Sequence, residues 1–217
     1  MSKVAKMSVE LLAVTPHAEK IIELAGRTAY KSFEKITDAS AGEFIGRIVR
    51  NGHESVLEHA SASIRVKGIS RACSHQIVRH RLASYTQSSQ RYVDESGAEF
   101  VVPPSIAQCE AYRDLYMRHL TLVGEMYECL KKAGIPSEDA RFVLPNACAT
   151  EIVMSANFRE WRHFLTVCGD PHAQWEIREL ALQVYEILSK EAPSVFADFS
   201  VVAHPKNGLC LVKSKGE

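Results

Sequence analysis

The sequence lacks the features that mark membrane, secreted or zinc-stabilised proteins. No apolar run approaches the roughly 18 residues that a membrane span requires, and the first residues lead into a strand-like segment without the apolar core of a signal peptide. The six cysteines are scattered without a CxxC pair, which favours free buried thiols over a disulfide framework or structural zinc. We therefore expect a cytoplasmic protein that is not attached to a membrane.

The chain also lacks an excess of charge of either sign. Its 26 basic and 26 acidic residues argue against a protein that coats nucleic acid. One stretch differs, because no Asp or Glu occurs between Glu58 and Asp94. Arginine offers a planar fork of donors to phosphate or carboxylate, so a local excess of cations indicates an anionic ligand. The cationic residues of this stretch are Arg65, Lys67, Arg71, Arg79, Arg81 and Arg91.

Several common site motifs are missing as well. Neither a Walker A loop nor a GxGxxG turn is present, so we expect side chains rather than a glycine loop to hold any nucleotide. No nucleophile elbow accompanies the serines near His80, which disfavours a hydrolytic triad. The spacing of the histidines from His53 to His80 puts no pair on one helical face, which disfavours a metal. Phosphate or nucleotide binding is the favoured interpretation, and a solvated basic face is the alternative.

Apolar periodicity predicts alternating strands and helices without internal repeats or linkers. We expect a single domain over residues 1–217, of α/β class with α+β character, in which a mixed sheet is flanked by long helices. The tail after about residue 200 is expected to pack loosely. Strands are predicted at 8–15, 60–66, 90–94, 99–102 and 147–156, and helices at 17–30, 41–51, 70–80, 105–132, 157–167 and 171–191, with a short helix from Ser137.

Two of the predicted helices carry further expectations. Ser70 is predicted to cap the helix at 70–80. If that helix continued through residues 79–81, the side chains of Arg79, His80 and Arg81 would point about 100° apart and could not share one face. They can surround one ligand only if the helix ends there or if ligands approach from several sides. The helix at 105–132 has a stripe that is typical of a core or interface seam. That stripe consists of Cys109, Tyr112, Tyr116, His119, Val123, Met126 and Leu130.

The basic stretch carries a recognisable motif. Arg79-His80-Arg81, followed after seven residues by Ser89, resembles the RHR-x7-S signature of flavin-dependent thymidylate synthases. The likeness extends over most of the chain, because four further motifs occur in the order typical of the family. The other motifs are Gly52-His53-Glu54-Ser55 with Glu58-His59, residues 140–145 (ARFVLP), Asn157-Phe158-Arg159, and residues 173–177 (AQWEI).

The resemblance implies a homotetramer that methylates dUMP to dTMP, with FAD as cofactor and with NADPH and methylenetetrahydrofolate as co-substrates. It implies that the flavin does the work of a cysteine nucleophile, so the scattered cysteines need no catalytic role. The catalytic residues are then Arg79, His80 and Ser89, with Cys168 at the position of a family arginine. The residues implied for FAD are Ser55, Arg79, His80, Arg81, Asn157, Arg159 and His163, with His53, Gln87 and His172 close by. Those implied for dUMP are Gln76, Gln87, Ser89, Gln90, Arg91 and Arg141, the arginines taking the phosphate.

Three positions depart from the family pattern. The family commonly has Asn at Thr86 and often Glu at Gln87, and it usually has an arginine, credited with polarising uracil, at Cys168. Losing that charge removes electrostatic stabilisation of an activated pyrimidine, and Arg162 or His172 are the candidates to replace it. Three alternatives therefore stay open: a flavoenzyme for another pyrimidine nucleotide or one-carbon group, a catalytically silent FAD- or nucleotide-binding protein, and a nucleic-acid binder.

Overall fold

The structure, a computed structural model, describes residues 3–214, which form two compact units built from interleaved segments. Of the described residues, unit 1 contains 3–8, 66–78 and 86–153, and unit 2 contains 9–65, 79–85 and 154–214. The predicted α/β class, with mixed helices and strands, is confirmed. The single domain over residues 1–217 stays a prediction.

The strands follow the alternation of apolar and polar residues. Every second residue of β3 and β6 is buried over most of their lengths, as a two-residue side-chain period requires. The strands are β1 (Lys3–Val4), β2 (Ser8–Val14), β3 (Ser61–Ser70), β4 (Ser84–Gln87), β5 (Glu99–Phe100), β6 (Ala149–Asn157), β7 (Phe199–His204) and β8 (Gly208–Lys213). Four of them form one sheet in the order β2-β3-β6-β4, and each of these four strands contributes residues to both units.

The helices match the predicted periodic segments with a few differences at their ends. They are α1 (Ala18–Thr28), α2 (Ser40–Arg50), α3 (Arg71–Ile77), α4 (Pro104–Ala107), α5 (Glu110–Lys132), α6 (Ser137–Ala140), α7 (Phe158–Cys168) and α8 (Trp175–Glu191). Short 3-10 helices cover Phe33–Lys35, Glu54–His59 and Arg141–Val143. No helix among residues 3–214 has both the length and the apolar character needed to cross a bilayer.

Unit 1 is organised around α5. This helix buries Leu120 against Phe100 and Cys148, and partly buried side chains from both ends of the unit pack around them. The short strands β1 and β5 pair in parallel with Lys3 opposite Glu99. Ser70 caps α3 as predicted, because its side chain accepts a hydrogen bond from the backbone N–H of Cys73 at 3.0 Å.

Unit 2 packs α7 and α8 against an aromatic core. The Trp161 ring meets the Phe164 ring edge-on with 5.7 Å between centroids, and its indole N–H donates to the carbonyl of Ala62. The segment after residue 200, which was expected to pack loosely, forms the antiparallel hairpin β7–β8, in which Val202 is opposite Cys210. Cys210 and its neighbour Leu211 are buried, so hydrophobic contacts hold this hairpin in place.

Several predicted boundaries were wrong, and side-chain hydrogen bonds explain one of them. The helix predicted at 171–191 begins only at Trp175, because Gln174 caps it by accepting two backbone N–H groups. The short helix α6 begins at Ser137 as predicted, with Pro136 at the N-cap position, and the Ser137 hydroxyl accepts from the Lys131 ammonium. The helix predicted at 105–132 is interrupted at Cys109, whose backbone is extended. Residues 90–94 form a turn rather than a strand, closed by N–H donation to the carbonyl of residue 89.

Candidate functional site

A cavity of about 760 Å³ in unit 2 gathers most of the residues predicted to bind FAD. This volume is within the usual range for small-molecule and cofactor sites. The predicted residues in its lining are Arg79, His80, Arg81, Asn157, Arg159 and His163. The lining also contains side chains to which the sequence gave no cofactor role: Glu54, Glu58, Leu82, Glu160, Arg162, Thr166 and Lys213.

The motif residues Arg79, His80 and Arg81 lie just after the C-terminal end of α3. The helix stops at Ile77, so residues 79–81 lie in a turn and the conflict of directions expected for a continuing helix disappears. Arg79 and Arg81 are exposed while His80 between them is buried. The Tyr85 hydroxyl donates to the His80 carbonyl at 2.8 Å and fixes the turn. Burial, together with nearby Glu160 and Cys168, raises the pKa of Tyr85 to about 12, so this phenol keeps its proton.

Asn157 connects β6 to α7 and directs the helix along the cavity. Its side-chain oxygen accepts from the N–H of Glu160 at 2.9 Å, which makes it the helix N-cap. One face of α7 then presents Arg159, Arg162 and His163 to the cavity. Asn157 therefore has a structural role, as the N-cap of α7, that requires no ligand.

The charges of the cavity are partly neutralised by acids that are remote in sequence. Arg159 pairs with Glu58 at 2.6 Å, and Lys213 pairs with Glu54 at 3.2 Å. Within residues 3–214, neither Arg79 nor Arg81 forms an ion pair, so these two guanidinium groups are the cations available to an anionic ligand.

Arg162 has a structural role in this cavity. Its side chain is only 1% exposed, and its five N–H donors are used by the carboxylates of Glu54 and Asp198 and by the carbonyl of Val195. Burial alone would lower the pKa of Arg162, but the two carboxylates outweigh it and raise the pKa. With every donor engaged, Arg162 has none left for a uracil ring.

His80 is enclosed by a buried thiol and a buried carboxyl group. Its Nε2 lies 3.3 Å from the Sγ of Cys168, and its Nδ1 lies 3.5 Å from Oε1 of Glu160, too far for a hydrogen bond. Burial raises the pKa of Cys168 to about 12 and also raises that of Glu160, while burial and His163 lower the pKa of His80. The contact between the thiol and Nε2 therefore joins two neutral groups, and Nδ1 of the imidazole faces Glu160.

Cys168 cannot act as the missing arginine or as a ready nucleophile. It is 3% exposed, and a thiol with a pKa near 12 is protonated at neutral pH. The role supported by its contacts is to position His80.

Four residues predicted near FAD lie outside the lining of this cavity, and one of them, Gln87, belongs to unit 1. His53 and Ser55 line a separate cavity of about 590 Å³ in unit 2, where the Arg27 guanidinium stacks on Phe44. The His172 side chain is exposed and its Nδ1 lies 2.9 Å from the carboxylate of Asp170. The motif positions therefore do not all reach one place within a single chain.

The residues predicted to bind the nucleotide lie in unit 1, where two arginines meet at Glu138. Arg91 pairs with the Glu138 carboxylate at 3.2 Å, and the Arg141 Nε–H donates to the Glu138 carbonyl at 3.0 Å. The Ser89 hydroxyl accepts from the backbone N–H of Arg91 at 3.3 Å. Guanidinium and hydroxyl groups are the kinds of donor that bind a phosphate.

The three predicted glutamines of unit 1 differ in their availability. Gln90 is buried and its amide donates to the sulfur of Cys148. The Gln87 amide nitrogen donates to the hydroxyls of Ser74 and Thr150 at 3.0 and 3.1 Å, which leaves its carbonyl oxygen as an acceptor. Gln76 is half-buried on α3.

Comparison with known proteins gives one consistent result. A family model described as "Thymidylate synthase complementing protein" matches residues 10–194. The chain is 43% identical over 200 residues to the flavin-dependent thymidylate synthase of Geobacter sulfurreducens, a match that covers 88% of this chain and 86% of that protein. It is 39% identical over 233 residues to that of Mycobacterium marinum and 37% identical over 234 residues to that of Mycolicibacterium gilvum, covering 93% and 94% of each chain respectively.

Proposed function

The chain belongs to the thymidylate synthase complementing protein family, and on this premise we propose that it is a flavin-dependent thymidylate synthase. The reaction is the reductive methylation of dUMP to dTMP, with methylenetetrahydrofolate as carbon donor, NADPH as reductant and FAD as cofactor. The observation that supports it most directly is the cavity of unit 2. There two distant segments, 79–81 and 157–163, provide six of the residues that the family resemblance assigns to FAD.

The cavity suits FAD by charge and polarity. Arg79 and Arg81 carry charge that no acid within residues 3–214 neutralises, as a pyrophosphate requires. The Nδ1 of His80 is a buried polar atom without a hydrogen-bond partner among the described residues, so a bound polar group would satisfy it. When bound, FAD supplies the hydride chemistry. In this proposal the two arginines bind its phosphates, and His80, held by Cys168 and Tyr85, orients it.

The nucleotide is assigned to unit 1. Arg91, Arg141 and Ser89 bind its phosphate; in support, both arginines contact Glu138, and the Ser89 hydroxyl accepts from the backbone N–H of Arg91. Uncharged amides suit the edge of uracil, which both donates and accepts, so Gln76 and the free oxygen of Gln87 are assigned to the base. Gln90 holds the loop that carries Ser89 and Arg91 in place, because its side-chain amide donates to the sulfur of Cys148.

The lack of a side chain that could replace the family arginine in polarising uracil favours a second candidate function. The family arginine is replaced by a buried cysteine, Arg162 has no free donor, and His172 is exposed and paired with Asp170. A protein with these features that binds FAD and nucleotide without methylating is therefore the alternative. We also propose that the chain forms the homotetramer implied by the family resemblance, and its cytoplasmic location stays a prediction.

The deciding experiment is the visible spectrum of the purified protein, followed by anaerobic addition of NADPH with and without dUMP. A flavin spectrum that bleaches faster with dUMP, and a dTMP product by mass when methylenetetrahydrofolate is added, supports the proposal. Bleaching without any methylated product supports the silent alternative. A colourless protein that takes up no added FAD contradicts both.

A variant pair links the cofactor to the cavity. The double variant Arg79→Ala with Arg81→Ala is expected to purify with little FAD and to regain little on addition, because the phosphates lose their counter-charges. Arg113→Ala, which removes an arginine from the exposed side of α5, is the matched control and is expected to retain FAD. Equal FAD content in all three proteins contradicts the placement.

A further inference from the structure

The outer side of α5 is apolar although it faces solvent. Tyr112 is 66% exposed, Leu115 61%, Leu122 64% and Met126 53%. The opposite side of the helix is fixed in unit 1 by buried Leu120 and Tyr127, so the helix cannot turn this surface inward. Scattered apolar residues are common on protein surfaces, but a continuous exposed row of them indicates a contact with another molecule.

The row has the spacing of a coiled-coil seam. Exposed side chains recur at alternating steps of three and four residues, which is the repeat of two helices that pack along their lengths. The row extends over about 26 Å of helix at 1.5 Å per residue. We call it the outer stripe; it consists of Tyr112, Leu115, His119, Leu122, Met126 and Cys129.

The outer stripe is complementary to itself when two copies run antiparallel. Such a pairing places Tyr112 on Cys129, Leu115 on Met126, and His119 on Leu122, so the largest side chain meets a small one. A twofold axis at the centre of the stripe then makes every contact twice, as closed dimers require.

Charged residues beside the stripe select the same orientation. Arg118 and Glu125 are exposed on one flank, and within residues 3–214 neither has an ion-pair partner. In the antiparallel pairing Arg118 of one copy faces Glu125 of the other, and the symmetric contact repeats it. In a parallel pairing the two residues would face the apolar Val123 and Leu130 instead.

We propose that the outer stripe of α5 is an interface between two copies of this chain, packed antiparallel and aligned by the reciprocal contacts of Arg118 with Glu125. This interface is independent of the chemistry proposed for the chain, and it is one contact surface from which a larger homo-oligomer is built.

Charge reversal tests the interface and its direction together. Arg118→Glu places two glutamates opposite each other, and Glu125→Arg places two arginines opposite each other, so each variant alone is expected to self-associate about tenfold more weakly. In an equal mixture every facing pair is again opposite in charge, and association is expected to return. The double variant is expected to associate like the wild type. Arg113→Glu, off the stripe on the same helix, is the control that leaves association unchanged.

The measurement is the molar mass by light scattering of the full-length, FAD-supplemented protein over a range of concentrations. A wild type that is monomeric throughout overturns the proposal, as does a mass that neither charge variant nor Leu122→Glu alters. If Leu122→Glu lowers the mass while the mixture of charge variants fails to recover it, the antiparallel alignment is wrong. Far-UV circular dichroism verifies that the variants keep their helices.

A cross-link gives a second readout in case other contacts maintain the mass. Tyr112→Cys places a thiol opposite Cys129 of the other copy. Diamide accepts two electrons and two protons from these thiols and leaves one disulfide between the chains. A covalent dimer is expected on a non-reducing gel for this variant and not for Arg113→Cys, and adding Cys129→Ser to Tyr112→Cys is expected to abolish it. No dimer from Tyr112→Cys, or one that survives Cys129→Ser, contradicts the alignment.

Discussion

At the scale of single residues, Glu138 occupies the place where we expect a phosphate. It pairs with Arg91 and its carbonyl accepts from Arg141, the two arginines assigned to the nucleotide. Glu138→Gln removes the competing negative charge, so we expect dUMP to bind about threefold more tightly, the modest gain available from an exposed ion pair. Isothermal titration with dUMP measures this change.

Asp139→Asn is the matched control, because it removes the same charge one position along without a contact to Arg91. Its dUMP affinity is expected to match that of the wild type. Weaker binding by Glu138→Gln would show that Glu138 positions the arginines rather than competing for them. In contrast, Arg91→Ala is expected to weaken dUMP binding strongly.

Cys168 is a second residue whose role is defined by a contact. Its thiol lies within hydrogen-bond distance of Nε2 of His80, so Cys168→Ala is expected to cost about 1 kcal/mol of stability and to loosen FAD. Cys168→Ser keeps a donor and is expected to retain both more fully. Thermal unfolding and flavin content measure the two effects. Rapid alkylation of Cys168 at neutral pH, at the rate of exposed Cys129, would contradict the buried neutral thiol.

Arg162 gives the third residue-scale prediction. Arg162→Met leaves the carboxylates of Glu54 and Asp198 without their partner, and we expect a loss of about 3 kcal/mol in urea unfolding. Arg159→Met, which removes an exposed cation of the same cavity, is the control and is expected to change stability little. Equal stability of the two variants would rule out the structural role.

The Arg162 contribution depends on pH with a definite sign. Burial raises the pKa of Glu54, but Arg162 and Lys213 lower it further, so its pKa in the folded protein is below the ordinary value. The stabilisation is therefore fully present above about pH 4.3 and is lost as the pH falls through the folded-state pKa. The difference in stability between wild type and Arg162→Met is expected to shrink in acid.

Residue roles were predictable only where a motif carries them. The resemblance led to the arginines of 79–81 and to Arg91 because their spacing is local. It could not reveal that Glu54 and Asp198 bind Arg162, because both acids are distant from it in sequence. Glu54 is 108 residues and Asp198 is 36 residues away from Arg162. A buried arginine and an available arginine look the same in a sequence.

At the scale of elements, strand β3 depends on one glycine. Gly68 has φ +69°, and a Cβ there would lie 2.2 Å from the carbonyl oxygen of Lys6. Gly68→Ala is expected to cost about 3 kcal/mol or more from the collision and the left-handed backbone. Gly97 has φ +75° with open space around it, so Gly97→Ala, the control, is expected to cost about 1 kcal/mol. Urea unfolding compares them, and equal losses would contradict the close approach.

Helices and strands were predicted well where one face is buried and poorly where side chains decide the ends. The periodic segments of α1, α2 and α7 appear within a few residues of their predicted positions. The late start of α8 depends on the Gln174 amide, a local feature that periodicity does not reveal. Likewise, the stripe of α5 was predicted to be a core or an interface seam, and exposure identifies Tyr112 and Met126 as outward-facing.

At the scale of the whole molecule, the two units share their strands. Residues 149–153 of β6 belong to unit 1 and residues 154–157 to unit 2. A fragment ending at residue 153 therefore loses α7, α8 and the hairpin from unit 2, and we expect it to bind a hydrophobic dye and to unfold without cooperativity. A soluble fragment with a sharp unfolding transition would contradict this expectation.

The same interleaving sets an order in time when the chain is synthesised. Every residue of unit 1 has left the ribosome's catalytic centre by residue 153, before α7, α8 and the hairpin β7–β8 have been made. The lining of the unit 2 cavity also needs residues 157–166 and Lys213. With FAD in this cavity, as we propose, the complete cofactor site forms only when almost all of the described chain has been translated.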